Sequence, residues 1–211
     1  MIRQERRGAL TVLTLDRPDR ANALTEAMLR DLAARLQRLA QDGTRAVVIT
    51  GSGKVFSAGA DLDEARQGLA LSDAWQALSG QVAAMPCLTI AALNGTLAGG
   101  AFGMVLASDL RLAVPGAEFF YPVMRLGYQP PQGDPERLVA LVGPARAKMI
   151  LMAGARIGAD EALSWGLVDR IVGGDLLEAA EALAAPALGA AEGHVAALKR
   201  RFDPAQSPAL L

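Results

Sequence analysis

The sequence predicts an α/β fold, on three observations. Apolar runs of strand length alternate with segments whose apolar residues recur at helical spacing. The first three such segments come in the order strand, helix, strand, which points to a parallel crossover unit. A further buried run, Leu88–Leu93, passes through a turn directly into another helix.

Taken in order, Ala9–Leu15 (ALTVLTL) reads as a strand from its β-branched residues and alternation. Asp16–Arg20 is a polar loop whose Pro18 stops the strand. Thr25 caps a helix over Glu26–Ala40, with Met28, Leu29, Leu32, Leu36 and Leu39 on one face. Asp42-Gly43 ends it, and Ala46–Thr50 (AVVIT) is a fully buried strand. Residues 63–81 are polar and Ala-rich, a helix or loop in which Trp75 either packs or lines an entrance. Leu110–Val114 reads as a strand, Ala117–Tyr121 as a short extended piece, and Tyr128–Asp134 as a loop. Helices follow over Pro135–Val142, Ala145–Ala153 and Ala159–Trp165, then a strand over Leu167–Val172. Asp175–Arg201 is an Ala-rich helical tail and Asp203–Leu211 a frayed end.

Composition narrows the class. A chain of 211 residues, 52% hydrophobic and 20% charged, suits one domain or one domain with an appendage. The net charge of −1 and the lack of a basic block argue against nucleic-acid or anionic-membrane partners. Cys87 alone cannot build an intramolecular disulfide framework, which suits a reducing cytoplasm. Met1–Arg7 is charged and no apolar stretch follows it, unlike a signal peptide. The uncharged stretch Val82–Ser108 is broken by Pro86, Asn94 and glycines, so it reads as buried core rather than a membrane span. No His/Cys/Asp cluster has metal-ligand spacing.

Two glycine-bearing stretches could serve a ligand. Ala91–Asp109 joins a buried strand through Asn94-Gly95 to a helix that opens on Gly99-Gly100. The first N–H groups of a helix have no internal partner, and glycines leave them open to a ligand. A tight packing turn is the structural alternative. Upstream, Gly51–Leu62 (GSGKVFSAGADL) places small residues at Ser57–Ala60 ahead of Asp61, which caps the following helix or turn and leaves the Ala60 N–H free. Neither stretch matches GxxxxGK[ST] or GxGxxG, so a nucleotide loop is a poor fit.

LDRPDRANAL (15–24), VVITGSGKVFSAGADL (47–62), NGTLAGG (94–100), SDLRLA (108–113), RLG (125–127) and ARIGADEALSWGLVDRIV (155–172), in this order, resemble the crotonase, or enoyl-CoA hydratase/isomerase, superfamily. The resemblance implies a superhelix of repeated ββα units over residues 1–172, followed by a shortened helical tail, 173–211. It implies an acyl-CoA thioester as ligand, no cofactor beyond the coenzyme A of the substrate, and trimers or hexamers. It also gives both glycine stretches one job: by motif position, the N–H groups of Ala60 and Gly100 form an oxyanion hole for the thioester carbonyl. Ala21 and Ala23 match the loop that lies against CoA. Ala58, Asp61 and Leu62 flank the first donor, and Leu97 and Gly99 the second. Lys54 matches a lysine directed at a CoA phosphate, with a solvated loop lysine as the alternative.

The acid/base positions depart from the family. Where hydratases carry a glutamate after the glycine pair stands Gly103, and the second, in a Pro-Glu step, is replaced by Val123 after Pro122, both beside the substrate. Hydration needs a positioned acid and base, so an isomerase-type enolate reaction fits better. Asp134 is the first substitute, with capping of the helix at Pro135 as its alternative. Tyr121 and Tyr128 are further candidate donors near the acyl group; core packing is the alternative for Tyr121, beside Phe119 and Phe120. Glu136 reads as exposed or paired with Arg137, and His194 falls outside the matched region. The chain ends soon after the final strand, which weakens the expected trimer. A non-catalytic acyl-CoA-binding homologue and a CoA-thioester hydrolase or decarboxylase are the competing functions.

Overall fold

The computed structural model describes residues 1–202. The frayed end expected at Asp203–Leu211 lies outside the described residues.

The chain opens with a hairpin, β1 (Ile2–Arg7) and β2 (Leu10–Leu15), and helix α1 (Glu26–Leu39). Strand β1 escapes the sequence reading because five of its six residues are exposed, the charged edge of a sheet rather than an apolar run. Three units then repeat one plan, each sending a strand into a large sheet, a short strand into a second sheet, and helix across. The first is β3 (Ala46–Gly51), β4 (Val55–Ser57), α2 (Leu62–Arg66) and α3 (Ala74–Ala83). The second is β5 (Leu88–Leu93), β6 (Thr96–Ala98) and α4 (Phe102–Leu106). The third is β7 (Leu110–Ala113), β8 (Glu118–Phe120) and α5 (Val123–Leu126). The rest is α6 (Asp134–Val142), α7 (Pro144–Leu151), β9 (Ile157–Gly158), α8 (Ala159–Trp165), β10 (Arg170–Ile171), α9 (Leu176–Gly189) and α10 (His194–Arg200). The tail expected as one helix is thus two, and the last expected strand shrinks to two residues.

The large sheet runs β1-β2-β3-β5-β7-β10 and the small one β4-β6-β8-β9. From β2 to β10 the large sheet is parallel. Its strands are apolar on both faces, which is why they read as continuous runs. Leu13, Leu15, Val47, Ile49, Ala91 and Leu93 face the main core, with Leu29, Leu32, Phe56 and Phe102. The alternate residues Leu10, Val12, Val48, Ile90 and Leu112 face Ala180 and Ala184 of α9. The uncharged stretch Val82–Ser108 is divided among α3, β5, β6 and α4. Among the described residues no helix is long and apolar enough to cross a membrane.

The topology positions the site. Strands β4, β6 and β8 run parallel side by side in the small sheet, so the loops after their C-terminal ends converge. Those loops are Ala58–Asp61, the turn at Gly99–Ala101, and the stretch around Tyr121.

Candidate active site

The first loop is held by a mesh of hydrogen bonds. Leu24 N–H donates to Gly59 O at 2.7 Å, and Asp61 N–H donates to Leu24 O at 2.8 Å. In such a parallel bridge the flanking peptide groups serve the neighbour, so the intervening Ala60 N–H points the other way. Asp61 caps α2 as the sequence suggests, accepting from Asp63 N–H (3.0 Å) and Glu64 N–H (3.3 Å). Its second oxygen takes Arg17 Nη1 at 2.7 Å, and that guanidinium holds the Asp61 carboxyl below its usual range. The same Nη1 donates to Ala23 O. Ala58 N–H donates to Ala21 O at 2.9 Å. The loop holding Ala21 and Ala23 therefore braces the Ala58–Asp61 loop through backbone.

Asn22 is the residue of this mesh that sequence reasoning missed. It is fully buried at φ 53°, a left-handed conformation asparagine tolerates better than most residues. Its side-chain amide donates to Ser52 O (2.9 Å) and Val55 O (2.7 Å), and its main-chain carbonyl accepts from Ser57 Oγ (2.8 Å). The signal was an asparagine between small residues in a loop.

The second loop presents Gly100 at the start of a short 3-10 turn, Gly99–Ala101, where the opening N–H groups have no upstream carbonyl. The two loops touch: a Cβ on Gly59 would lie 2.8 Å from Ala98 O, and Gly59 also has φ +90°. Trp75 lies over the Gly100 backbone, so that a Cβ there would meet the ring at 3.0 Å. Its indole N–H is anchored on Leu69 O at 2.8 Å.

Ala60, Gly100 and Trp75 share one cavity of about 510 Å³. Of the other residues singled out from sequence, Ala58, Leu62, Gly99, Pro122, Val123, Tyr121 and Tyr128 also line it. Ala21, Ala23, Lys54, Asp61, Leu97 and Asp134 do not; Lys54 is exposed on the loop before β4, and Leu97 is buried in β6. Among the described residues that line the cavity there is no carboxylate.

Asp134 does not cap its helix. Gly133 is the cap of α6, and it is the Glu136 carboxylate that accepts the Gly133 N–H, at 3.1 Å. Asp134 instead turns inward and is 1% exposed. Its Oδ2 accepts the Tyr121 hydroxyl at 3.1 Å, while its Oδ1 has no hydrogen-bond partner. Arg137 Nη1 stands 3.9 Å from Oδ1, within ion-pair reach but too far for a hydrogen bond. Burial pushes the Asp134 carboxyl up to about 6, against the lowering pull of Tyr121 and Arg137.

The carboxylate fills the space beside Gly103. A Cβ at Gly103 would lie 2.9 Å from Oδ1 and 3.2 Å from Oδ2. The lack of a side chain at Gly103 is therefore what admits the Asp134 carboxylate from α6. A double-mutant cycle reads this directly. Gly103→Ala alone is expected to destabilise by about 1–2 kcal/mol, from overpacking against the carboxylate. In an Asp134→Ala background the same change should stabilise by roughly 0.5–1 kcal/mol, the usual helix-interior gain. Equal effects in both backgrounds, by urea unfolding, would mean the two positions are uncoupled.

Neither of the remaining reactive side chains joins the site. Cys87 is 2% exposed, with burial pushing its thiol up to about 11. His194 opens α10, away from the cavity. Among the described residues no group of His, Cys, Asp and Glu could hold a metal ion.

Two sheets joined by repeated ββα units, with the Ala60 and Gly100 loops lining one largely apolar cavity, define the architecture of the crotonase class. The sequence model for enoyl-CoA hydratase/isomerase matches residues 5–211, and the chain belongs to that family. Carnitinyl-CoA dehydratase of Escherichia coli K12 is 36% identical over 205 residues, covering 93% of this chain and 78% of the relative. The Rhodobacter capsulatus protein named "Probable enoyl-CoA hydratase" is 39% identical over 172 residues, 79% of this chain and 66% of its own length. Among solved structures, an enoyl-CoA hydratase from Bacillus anthracis superposes with TM-score 0.89 at 31% identity, covering 96% of this chain and 82% of that one. Pseudomonas aeruginosa DspI gives TM-score 0.90 at 29% identity, covering 99% and 88%.

Proposed function

We propose that the chain binds an acyl-CoA thioester with its carbonyl oxygen against the Ala60 and Gly100 N–H groups, stabilises the enolate that forms, and moves a double bond rather than adding water across one. The observation that carries this is the convergence of two loops, so close at Gly59 and Ala98 that a Cβ on Gly59 would not fit, over one cavity. Losing an α-proton places negative charge on the thioester oxygen. Each preorganised donor aimed at that oxygen is worth about 3–4 kcal/mol at the transition state. Water addition needs one group to activate water and another to protonate the α-carbon. Gly103 and Val123 supply neither. A 1,3-proton shift needs only one group, which takes the α-proton and returns it at the γ-carbon.

The test is to incubate the protein with a short 3-enoyl-CoA in D2O. The reading predicts conversion to the 2-enoyl isomer, with deuterium entering to the extent that the carried proton exchanges with solvent, and no 3-hydroxyacyl product. Hydration of a 2-enoyl-CoA, or release of free CoA or carbon dioxide, would overturn it. One observation favours a second reading, an acyl-CoA-binding protein without turnover: no carboxylate lines the cavity among the described residues. Micromolar binding of the 3-enoyl-CoA with neither isomerisation nor isotope exchange would establish that reading instead.

A further inference from the structure

We propose that Tyr121 is the catalytic acid/base of this site and that Asp134 serves it from behind as the acceptor of the phenol proton. This rests on the enolate reading above. Tyr121 follows β8 and lines the same cavity as Ala60 and Gly100. Its ring is fixed by stacking on Phe102, with centroids 5.2 Å apart. Phe102 opens α4 two residues after Gly100, so the phenol is positioned from the element that carries the second amide. The hydroxyl donates to Asp134 Oδ2 at 3.1 Å, and Asp134 itself does not line the cavity.

The carboxylate is only partly satisfied where it stands. One oxygen is buried without a hydrogen-bond partner. Such an orphan costs about 1–3 kcal/mol, a penalty that persists where function requires it. The groups acting on the carboxyl are Tyr121, Arg137 and Glu136; α4, packed on its other side, offers only Gly103. Arg137 Nη1, itself buried without a hydrogen-bond partner, faces Oδ1 across 3.9 Å, so the two are ion-paired but not hydrogen-bonded.

The step balances as follows. The Tyr121 oxygen takes the α-proton as its own proton passes to Asp134 Oδ2. The C–H electron pair becomes the enolate double bond, and the carbonyl pair moves onto the oxygen held by the two amides. For a 3-enoyl thioester the reverse transfer, from Asp134 to Tyr121 to the γ-carbon, completes the shift. No free phenolate forms, which matters because burial and the adjacent carboxylate push the Tyr121 hydroxyl far above its usual range.

The experiment measures isomerisation of a 3-enoyl-CoA and deuterium exchange into it for wild type, Tyr121→Phe and Asp134→Asn, with binding of the same ester measured in parallel. Wild type should exchange, on a profile that rises through pH about 6 as Asp134 ionises. Tyr121→Phe should lower the rate at least ~100-fold, the lower bound for a lost acid/base group, with binding unchanged within about threefold. Asp134→Asn should slow exchange and abolish the rise near pH 6. Thermal unfolding of each variant confirms that it folds. If wild type neither isomerises the ester nor exchanges it, the enolate reading itself fails. If wild type exchanges and Tyr121→Phe matches it within threefold, or Asp134→Asn keeps the same pH limb, the proposed pair is wrong and the enolate reading stands.

Discussion

Asp134→Asn is expected to make the folded protein more stable at pH 8, although it removes a buried, hydrogen-bonded and partly paired group. Burial raises the Asp134 carboxyl from an ordinary 3.8 to about 6, so the folded state prefers the protonated form. The sign follows from linkage. Below pH 4 the carboxyl is neutral folded or unfolded, and costs nothing extra. Between pH 4 and 6 the unfolded chain ionises first, and stability falls. Above pH 6 the full cost, about 3 kcal/mol, is present. Asparagine keeps the shape and still accepts the Tyr121 hydroxyl, less strongly by about 1 kcal/mol. A net gain of about 1–2 kcal/mol at pH 8, shrinking towards pH 4, should appear in urea midpoints. A loss of similar size at pH 8 would make Asp134 a structural anchor. Stability gained as exchange is lost is the pattern of a group kept for function at the expense of the fold.

Gly59→Ala is expected to be severe and to act on the site geometry. Two costs coincide: φ +90°, which side-chain-bearing residues rarely adopt, and a Cβ 2.8 Å from the Ala98 carbonyl oxygen. Backbone strain of this kind is worth about 1–3 kcal/mol. The clash is with backbone rather than a movable side chain, so the loops must separate. Stability should fall by about 2–4 kcal/mol on the sum of strain and overpacking. On the proposed function, acyl-CoA binding should weaken in the molecules that remain folded, because the Ala60 and Gly100 loops no longer close on one cavity. Calorimetric binding of a non-hydrolysable acyl-CoA analogue, done well below the melting temperature, checks this. Unchanged affinity in a destabilised variant would separate the loop contact from the binding site.

Much of the fold was legible because its strands are buried on both faces. Ala46–Gly51 and Leu88–Leu93 read as continuous apolar runs for that reason. The Thr25 cap and the Leu29, Leu32, Leu36 face of α1 were equally plain. Strand β1 was hidden because an exposed edge carries charge where a core strand carries valine. The donor loops were legible as glycine and small-residue stretches, since close backbone approach leaves a compositional mark. The surroundings of Asp134 were not. An aspartate before a proline at a helix start looks like a cap, and no local pattern reports that Gly103, 31 positions earlier, leaves it room to turn inward. Nor could Tyr121 be separated from its aromatic neighbours. Only the fold places its hydroxyl on Asp134 Oδ2 and its ring on Phe102. Long-range complementarity of this kind has no periodicity to betray it.

The central claim is that two backbone amides polarise a thioester carbonyl, and the carbonyl can be observed directly. Isotope-edited infrared spectroscopy of a saturated acyl-CoA labelled with carbon-13 at the thioester carbon reads the strength of its hydrogen bonds when bound. The account predicts a carbonyl stretch shifted to lower frequency than in water on binding to the wild-type protein. A bound ester whose carbonyl vibrates at or above its frequency in water would contradict it.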